Sequence, residues 1–349
     1  MKQHVWNWLV LAIVGCSALA GCGKSSSGTP TAGGPGATTA PAATAPLGVV
    51  HIGYFANLTH AQAVLGISSG DFAKAVAPAT IVPLKFNAGP ELMQALFAGE
   101  IDIGYVGPGP VISAYAKSQG AALRVIAGGA ANGVLIVARK DGPVSSLADL
   151  AGHKLATPQL GNTQDISAKH YLRDVLHQTE DQISSSVAPI PNAQIAGLMS
   201  RGQIDAAWVP EPWGSMLVAQ TGARVITEEK DLWPDKQFTL TLVVTTPEFL
   251  AAHPDVVKNV LAVHKKWTRL LNDAPDDQVP ALAAALNQLT GQTFDPAVLT
   301  AALHHTTFTN DPLPDTLSTM ATWTNEVGFA DNVPDLTRLF DLDIVRSLP

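Results

Sequence analysis

Residues 96–106, Leu96-Phe97-Ala98-Gly99-Glu100-Ile101-Asp102-Ile103-Gly104-Tyr105-Val106, return 103 positions later as Met199-Ser200-Arg201-Gly202-Gln203-Ile204-Asp205-Ala206-Ala207-Trp208-Val209. Four of the eight places from Gly99 to Val106 are identical between the copies. Each copy ends a helical pattern in Gly, runs a short apolar strand, and turns through a Pro-containing loop into a further helix. Arg124-Val125-Ile126 answers Arg224-Val225-Ile226, and Asn57-Leu58-Thr59 after one strand answers Asn162-Thr163 after another. Order, spacing and loop chemistry agree, so the chain reads as two α/β lobes of similar build. Such a pair leaves a cleft, and clefts between domains are where small ligands bind.

The N-terminus reads as an export signal. Lys2 is followed by an apolar run over 5–20, and small residues close it at Leu19-Ala20-Gly21-Cys22. This end resembles the bacterial lipoprotein box, which makes Cys22 the expected lipidation site and residues 1–22 the signal. About 16 apolar residues fall short of the roughly 20 that a spanning helix needs. Residues 23–47 are rich in Ser, Thr, Ala, Gly and Pro, a composition that behaves as a tether rather than a core. The sequence carries 21 basic and 29 acidic side chains, and removing residues 1–21 takes away Lys2 alone. That acidic balance argues against nucleic acid as a partner. No cysteine follows Cys22, so disulfides and thiolate metal sites are excluded from the remainder.

Strands are expected at 49–55, 80–86, 101–106, 123–127 and 134–138, and again at 154–157, 187–190, 204–209 and 224–227. Helices between them imply mainly parallel sheets. After an apolar, β-branched run at 238–245 the pattern is helical to the end, with helices at 254–272, 276–289, 296–304 and 314–327. The expected organisation is a first lobe of 48–136 with 238–349 and a second of 137–237. The helical tail is expected to return over the first lobe, and hinge connections are expected near 134–140 and 233–241.

Four loops follow strands and open helices, two per lobe. Asn57-Leu58-Thr59-His60-Ala61-Gln62 contains T-x-x-Q, a capping-box pattern with Thr59 as the cap. Gly107-Pro108-Gly109-Pro110 puts Pro at a helix start and Gly where a ligand could approach the backbone. Thr157-Pro158-Gln159-Leu160-Gly161-Asn162-Thr163-Gln164-Asp165 gathers polar side chains at another helix start, with Asn162 the cap and Asp165 placed to bond back to it. Trp208-Val209-Pro210-Glu211-Pro212-Trp213 offers a carboxylate between aromatic faces. None of these loops carries Arg or Lys, so an anionic ligand would be held by backbone amides, helix N-termini and hydroxyls. Thr59 and Thr163 stand at equivalent helix starts, one per lobe.

Enzyme signatures are missing: no G-x-S-x-G, no phosphate-binding G-x-x-x-x-G-K-[ST], no H-E-x-x-H, and no G-x-G-x-x-G after a strand. His304 and His305 are adjacent and point about 100° apart on a helix, so they do not face one metal together. His51 and His60 have no evident carboxylate or Cys companion. Neither metal nor cofactor is expected.

The motifs at 52–60, 98–102, 107–110, 156–163 and 208–213 together resemble the nitrate/sulfonate/taurine/bicarbonate family of solute-binding proteins of ABC importers, most closely its aliphatic-sulfonate-like branch. The resemblance runs from residue 47 to about 342. It implies a type II periplasmic-binding-protein fold: two α/β lobes, a two-strand hinge and a helical C-terminal return. It implies capture of a small anion, an aliphatic sulfonate or related oxoanion, and delivery to a permease and its ATPase by a monomer anchored at the cell envelope. By motif, Asn57, Thr59, His60, Gly107 and Pro108 carry over as contacts of the first lobe. Gln159, Asn162 and Thr163 carry over as contacts of the second, with Glu211 and Trp213 at the cleft edge. The other readings are an enzyme on the same fold and an extracytoplasmic sensor or scavenger without a transporter.

Overall fold

The computed structural model describes residues 47–349, so the signal, Cys22 and nearly all of the tether lie outside the described residues. The chain opens with β1 (Val49–Phe55), α1 (Ala61–Ser68), α2 (Asp71–Val76), β2 (Thr80–Phe86), α3 (Gly89–Phe97), β3 (Ile103–Val106), α4 (Pro108–Lys117) and β4 (Arg124–Asn132). It continues with β5 (Val134–Ala138), β6 (Leu155–Thr157), α5 (Thr163–His170), α6 (Glu180–Ser186), β7 (Val187–Pro189), α7 (Asn192–Ser200), β8 (Ala206–Pro210), α8 (Trp213–Thr221) and β9 (Arg224–Glu228). β10 (Thr239–Thr245) leads into α9 (Pro247–Ala252), α10 (Pro254–Asp273), α11 (Pro275–Thr290) and α12 (Pro296–His305). β11 (Thr306–Phe308), α13 (Pro314–Glu326) and α14 (Asp343–Ser347) complete it. No helix among the described residues is long and apolar enough to cross a membrane.

Two sheets carry the repeat. The first runs β11-β4-β10-β3-β1-β2 and the second β7-β6-β8-β5-β9. In each, the leading strand lies parallel between two neighbours: β1 between β2 and β3, β6 between β7 and β8. In each, an antiparallel strand follows, β10 or β5, and then β4 or β9. The sheets are therefore mixed rather than mainly parallel. The reason lies in the connections: β5 and β10 each enter a sheet directly after crossing from the other one and run against its parallel strands. The duplicated motif falls on β3 and β8, and the two Arg-Val-Ile runs on β4 and β9.

The crossings sit side by side. The Asn132 amide donates to Phe238 O at 3.0 Å, and the Phe238 amide donates to Asn132 Oδ1 at 3.3 Å. Gly133 carries the first crossing at φ +73°, where a Cβ would also meet Thr306 Oγ1 at 2.5 Å, so only glycine suits the position. Since β5 begins at Val134, the passage precedes the boundary after 136 and the hinge segment of 134–140 read from the sequence.

The tail does more than cover the first sheet. On α10, Val257, Val260 and Leu261 pack with Val50, Ile52 and Leu65, as expected. On α13, however, Leu317 is buried with Val111 and Leu123, while Met320 and Ala321 are buried with Ile136, Trp208 and Trp233 of the second sheet's surroundings. That helix straddles both halves. After Asn162, residues Ala168, Tyr171, Leu172, Val175 and Leu176 have the i, i+3, i+4, i+7, i+8 spacing of one helix face, but α5 ends at His170 and a π-turn covers Tyr171–Val175, so Leu172 is buried while Val175 is 49% exposed.

Candidate functional site: a cavity at five helix starts

The loops that follow β1, β2, β3, β6 and β7 all open helices toward the same place. A narrow cavity of about 30 Å³ lies there, lined from the first sheet by Asn57, Thr59, His60, Asn87, Gly89 and Gly107, and from the second by Asn162, Thr163, Gln164 and Asn192. No Asp, Glu, Lys or Arg lines it. The amides of a helix's first turn have no intrahelical acceptor, and they carry about half a positive charge. Several such starts pointed at one volume, with no basic side chain, make a neutral-walled site that favours an anion.

The helix starts contribute unequally. At α5, Asn162 caps as expected: its Oδ1 accepts the Asp165 amide at 2.9 Å. Asp165 does not bond back to the Asn162 amide. Its carboxylate accepts from the Gly161 amide at 2.8 Å and from Thr157 Oγ1 at 3.0 Å, and Lys169 Nζ lies 2.8 Å away to offset its charge. The first-turn amides of Thr163 and Gln164 are thereby left toward the cavity that both residues line.

At α4 the roles differ from expectation. Pro108 and Pro110 have no N–H, and the Gly109 amide donates to Thr163 Oγ1 at 3.3 Å. The glycines here admit the other half of the protein. A Cβ at Gly107 would stand 2.4 Å from Thr163 Oγ1, and one at Gly109 would stand 2.7 Å from Ile166 Cδ1. Pro108 is buried and does not line the cavity, whereas Gly107 does.

Thr59 is not a cap either. A 3-10 turn covers Leu58–His60, and α1 begins after it with no side-chain cap. The capping box fails because Gln62 is needed elsewhere: its Nε2 donates to Gly129 O at 2.7 Å and Thr268 Oγ1 at 3.2 Å, tying α1 to β4 and α10. Thr59 O accepts from Thr241 Oγ1 at 2.9 Å, and its residue lines the cavity at 1% exposure. His60 lines the same wall. Its ring lies 4.3 Å from the Phe55 ring, and its Nδ1 accepts the Phe55 amide at 3.4 Å. That bond assigns the proton to Nε2, and burial pushes the imidazole pKa down to about 3, so it is a neutral donor. His51, in contrast, does have a carboxylate companion, Asp102 Oδ2 at 3.1 Å from Nδ1.

A larger space of about 390 Å³ adjoins, sharing Phe55, Asn57, Asn87, Pro158 and Asn192 with the first. Gln159 and Trp213 line this one. Both bridge the halves: Gln159 Nε2 donates to Glu91 Oε1 at 3.2 Å, and Trp213 Nε1 to Asn57 Oδ1 at 2.8 Å. Glu211 lines neither space. Fully buried, its carboxylate accepts from the Ser215 amide at 3.0 Å and Ser215 Oγ at 2.8 Å, securing the start of α8, and burial raises its pKa.

Two contributors escaped the sequence reading. Asn87 and Ala88 precede α3, which Gly89 opens, and Asn192 opens α7 with a buried Oδ1 that has no hydrogen-bond partner among the described residues. The signal was available, because the loops after β2 and β7 are equivalent under the repeat, and each pairs an Asn with a neighbouring Pro (Asn87-Ala88-Gly89-Pro90; Pro191-Asn192).

This duplicated layout of paired sheets, with helix starts facing inward, has many counterparts of known structure. The model of the NMT1-like family matches residues 43–287. The chain belongs to the NMT1-like family. Among curated relatives, a binding protein of Brucella abortus (strain 2308) is 27% identical over 202 residues, 58% of this chain and 60% of the relative. A taurine-binding periplasmic protein of Escherichia coli K12 is 27% identical over 182 residues, 52% of this chain and 54% of the relative. The matches thus span about 60% or less of those relatives' length. In fold, the chain is similar to the alkanesulfonate-binding protein of Xanthomonas axonopodis pv. citri, with a TM-score of 0.67 and 22% identity over 85% of this chain and 99% of the other. It is also similar to the periplasmic nitrate-binding protein of Synechocystis, with a TM-score of 0.70 and 15% identity over 86% and 88%. The family member therefore has the periplasmic-binding-protein fold, and its relatives are binding proteins.

Proposed function

We propose that this chain is the solute-binding component of an ABC importer. It captures a small anion, an aliphatic sulfonate or related oxoanion, between two lobes and delivers it to a permease. The observation that carries the reading is the convergence of five helix starts, three from one sheet and two from the other, on one cavity without charged side chains. The amides of α5, the hydroxyls of Thr59 and Thr163, the Nε2–H of His60 and the amides of Asn57, Asn162 and Asn192 surround the anionic group. Gly107 allows the lobes to meet over it, and Gln159 and Trp213 latch the rim. Pro108 and Glu211 shape their own loops and stand behind the site. The adjoining larger space takes the organic part of the ligand.

Binding rather than catalysis is the proposed activity. The lining of the smaller cavity offers no carboxylate, amine or thiol, Lys85 and Glu91 stand only in the adjoining space, and the imidazole of His60 is held neutral with one nitrogen already engaged. The sulfonate, taurine and nitrate named for the relatives support this class of ligand. The signal and Cys22 add the proposal that the protein is a monomer lipidated at Cys22 and held at the extracytoplasmic face of the envelope. A thermal-unfolding screen against ethanesulfonate, taurine, nitrate and bicarbonate tests the reading, since a ligand of the native state raises the melting temperature. A saturable rise with at least one of these anions is expected. No rise with any would overturn it.

A further inference from the structure

Away from the cleft, a second cavity of about 110 Å³ opens among the β8 strand, the turn after β9, the end of α5 and α13. Its walls include Tyr171, Trp208, Trp233 and Trp323. Trp233 and Trp323 meet at 4.4 Å between ring centroids, and Tyr171 and Trp208 at 6.0 Å. At its base is Glu229, fully buried, with Oε2 accepting from Trp208 Nε1 at 2.6 Å and Oε1 accepting from Trp233 Nε1 at 3.3 Å. No Lys, Arg or His pairs with this carboxylate among the described residues. Ser167, 2% exposed, lines the same cavity, and its side chain hydrogen-bonds to the Glu229 carboxylate. The exposed Val175 lies at the opening.

We propose that this cavity is a second binding site, for a small organic cation carrying a methylated ammonium group. A carboxylate buried in apolar surroundings without a cation is costly to keep ionised. Burial accordingly pushes Glu229 up to about 7. Indole and phenol faces present negative quadrupole charge, and they attract a weakly hydrated cation within about 6 Å of their centroids. Trp233 stacks one face on Phe238 at 5.2 Å and Trp323 one face on His170 at 4.2 Å, so the remaining aromatic surface borders the cavity beside one carboxylate, surroundings that suit the same occupant. The oxygens are too few for a hard metal ion, which takes six or more. An anion is repelled by both the rings and Glu229, so this site and the cleft select opposite charges. The volume, about 110 Å³, is below the roughly 300–1,000 Å³ usual for small-molecule pockets, so the site suits only a compact group such as a methylated ammonium.

The rim keeps the third indole in place. His170 stacks on Trp323 at 4.2 Å and 15°, and its Nδ1 lies 3.0 Å from both Asp174 Oδ2 and Glu326 Oε2. Arg173 Nη2 lies 3.0 Å from Asp174 and 3.6 Å from Glu326, and burial lowers the His170 pKa, so two carboxylates against one guanidinium leave the rim net negative. The rim charge and Glu229 therefore favour a cation together.

Calorimetric titration of the wild-type protein with choline chloride, against its uncharged isostere 3,3-dimethylbutan-1-ol and sodium chloride, tests the proposal. Saturable heat is expected with choline at millimolar concentration, and none with the alcohol or the salt. Glu229→Gln and Trp323→Leu should each weaken choline binding about ten-fold or more. Thr163→Ala, in the cleft, should leave it unchanged. Equal binding of choline and the alcohol, no binding of choline, or loss of binding in Thr163→Ala with retention in Glu229→Gln would each overturn it. The comparison of choline with the alcohol needs no variant, so it decides even if a substitution impairs folding.

Discussion

Gly107→Ala perturbs the closure of the two halves at one atom. Its new Cβ would stand 2.4 Å from Thr163 Oγ1, and the next atoms, Leu240 O and Thr163 Cβ, are at 3.5 Å. The clash is therefore with a single oxygen on the opposite half. Overpacking of this kind costs about 1–3 kcal/mol, to be met by strain or by the halves moving apart. In a protein of this size, about 1 kcal/mol corresponds to roughly 2–4 °C in melting temperature. Thr163→Ala removes the offending oxygen. It also loses the Gly109 amide bond at 3.3 Å, worth about 0.5–1.5 kcal/mol. In the double variant the clash is gone, so Gly107→Ala should cost almost nothing on the Thr163→Ala background. A double-mutant cycle by urea and thermal unfolding should then give a coupling of about 1–3 kcal/mol in the compensating direction. The same two substitutions should couple in the affinity for an anion that the unfolding screen identifies. Strict additivity of the two substitutions would refute the close approach of Gly107 to Thr163.

Trp213→Phe keeps a ring against Phe294, 5.5 Å between centroids in the native pair, but removes the bond to Asn57 Oδ1; small-angle scattering should report a larger radius of gyration, and an unchanged profile would count against Trp213 as a latch. Burial raises Glu229 to about 7 against the ordinary carboxyl value of 4.5, so its neutral form supports the fold at low pH and that support is lost as pH rises between those values. Glu229→Gln should consequently gain melting temperature relative to wild type from pH 5 to pH 8, and parallel curves would refute this. His60, lowered to about 3, and His264, lowered to about 4, act with the opposite sign: their support is present above about 6.5 and lost as pH falls. Cys22→Ser should convert a membrane-fractionating protein into a freely released one, and retention in the membrane fraction would contradict lipidation there.

The repeat was the part of the fold most open to reading, because the copies 103 residues apart lie on strands with equivalent neighbours in the two sheets. It located Asn57, Thr163 and the Gly107 loop. Partners across long separations were not accessible. Gln62 satisfies a local capping pattern yet bonds to Gly129 and Thr268, because buried acceptors there outweigh a cap that the 3-10 turn makes unnecessary. Thr59, freed from capping, faces the cavity for the same reason. The amphipathic face of α13 is plain in the sequence, but periodicity does not say that Leu317 meets one half and Met320 the other. The π-turn at Tyr171–Val175 rotates a regular apolar pattern and turns Val175 to solvent. Glu211 looked like a ligand group because a carboxylate between two Trp residues stands out, whereas its backbone places it on Ser215.

The central claim is that helix starts and hydroxyls from both halves hold a small anion without a basic side chain. Calorimetric titration with the anion giving the largest thermal shift, on wild type, Thr59→Ala and Thr163→Ala, tests it most directly. Hydrogen bonds to a charged group are worth about 1.5–3 kcal/mol each, so each variant should bind about ten-fold or more weakly while remaining folded. Because Thr59 caps no helix, its variant should lose affinity with little change in stability. Wild-type affinity in both variants would contradict the account.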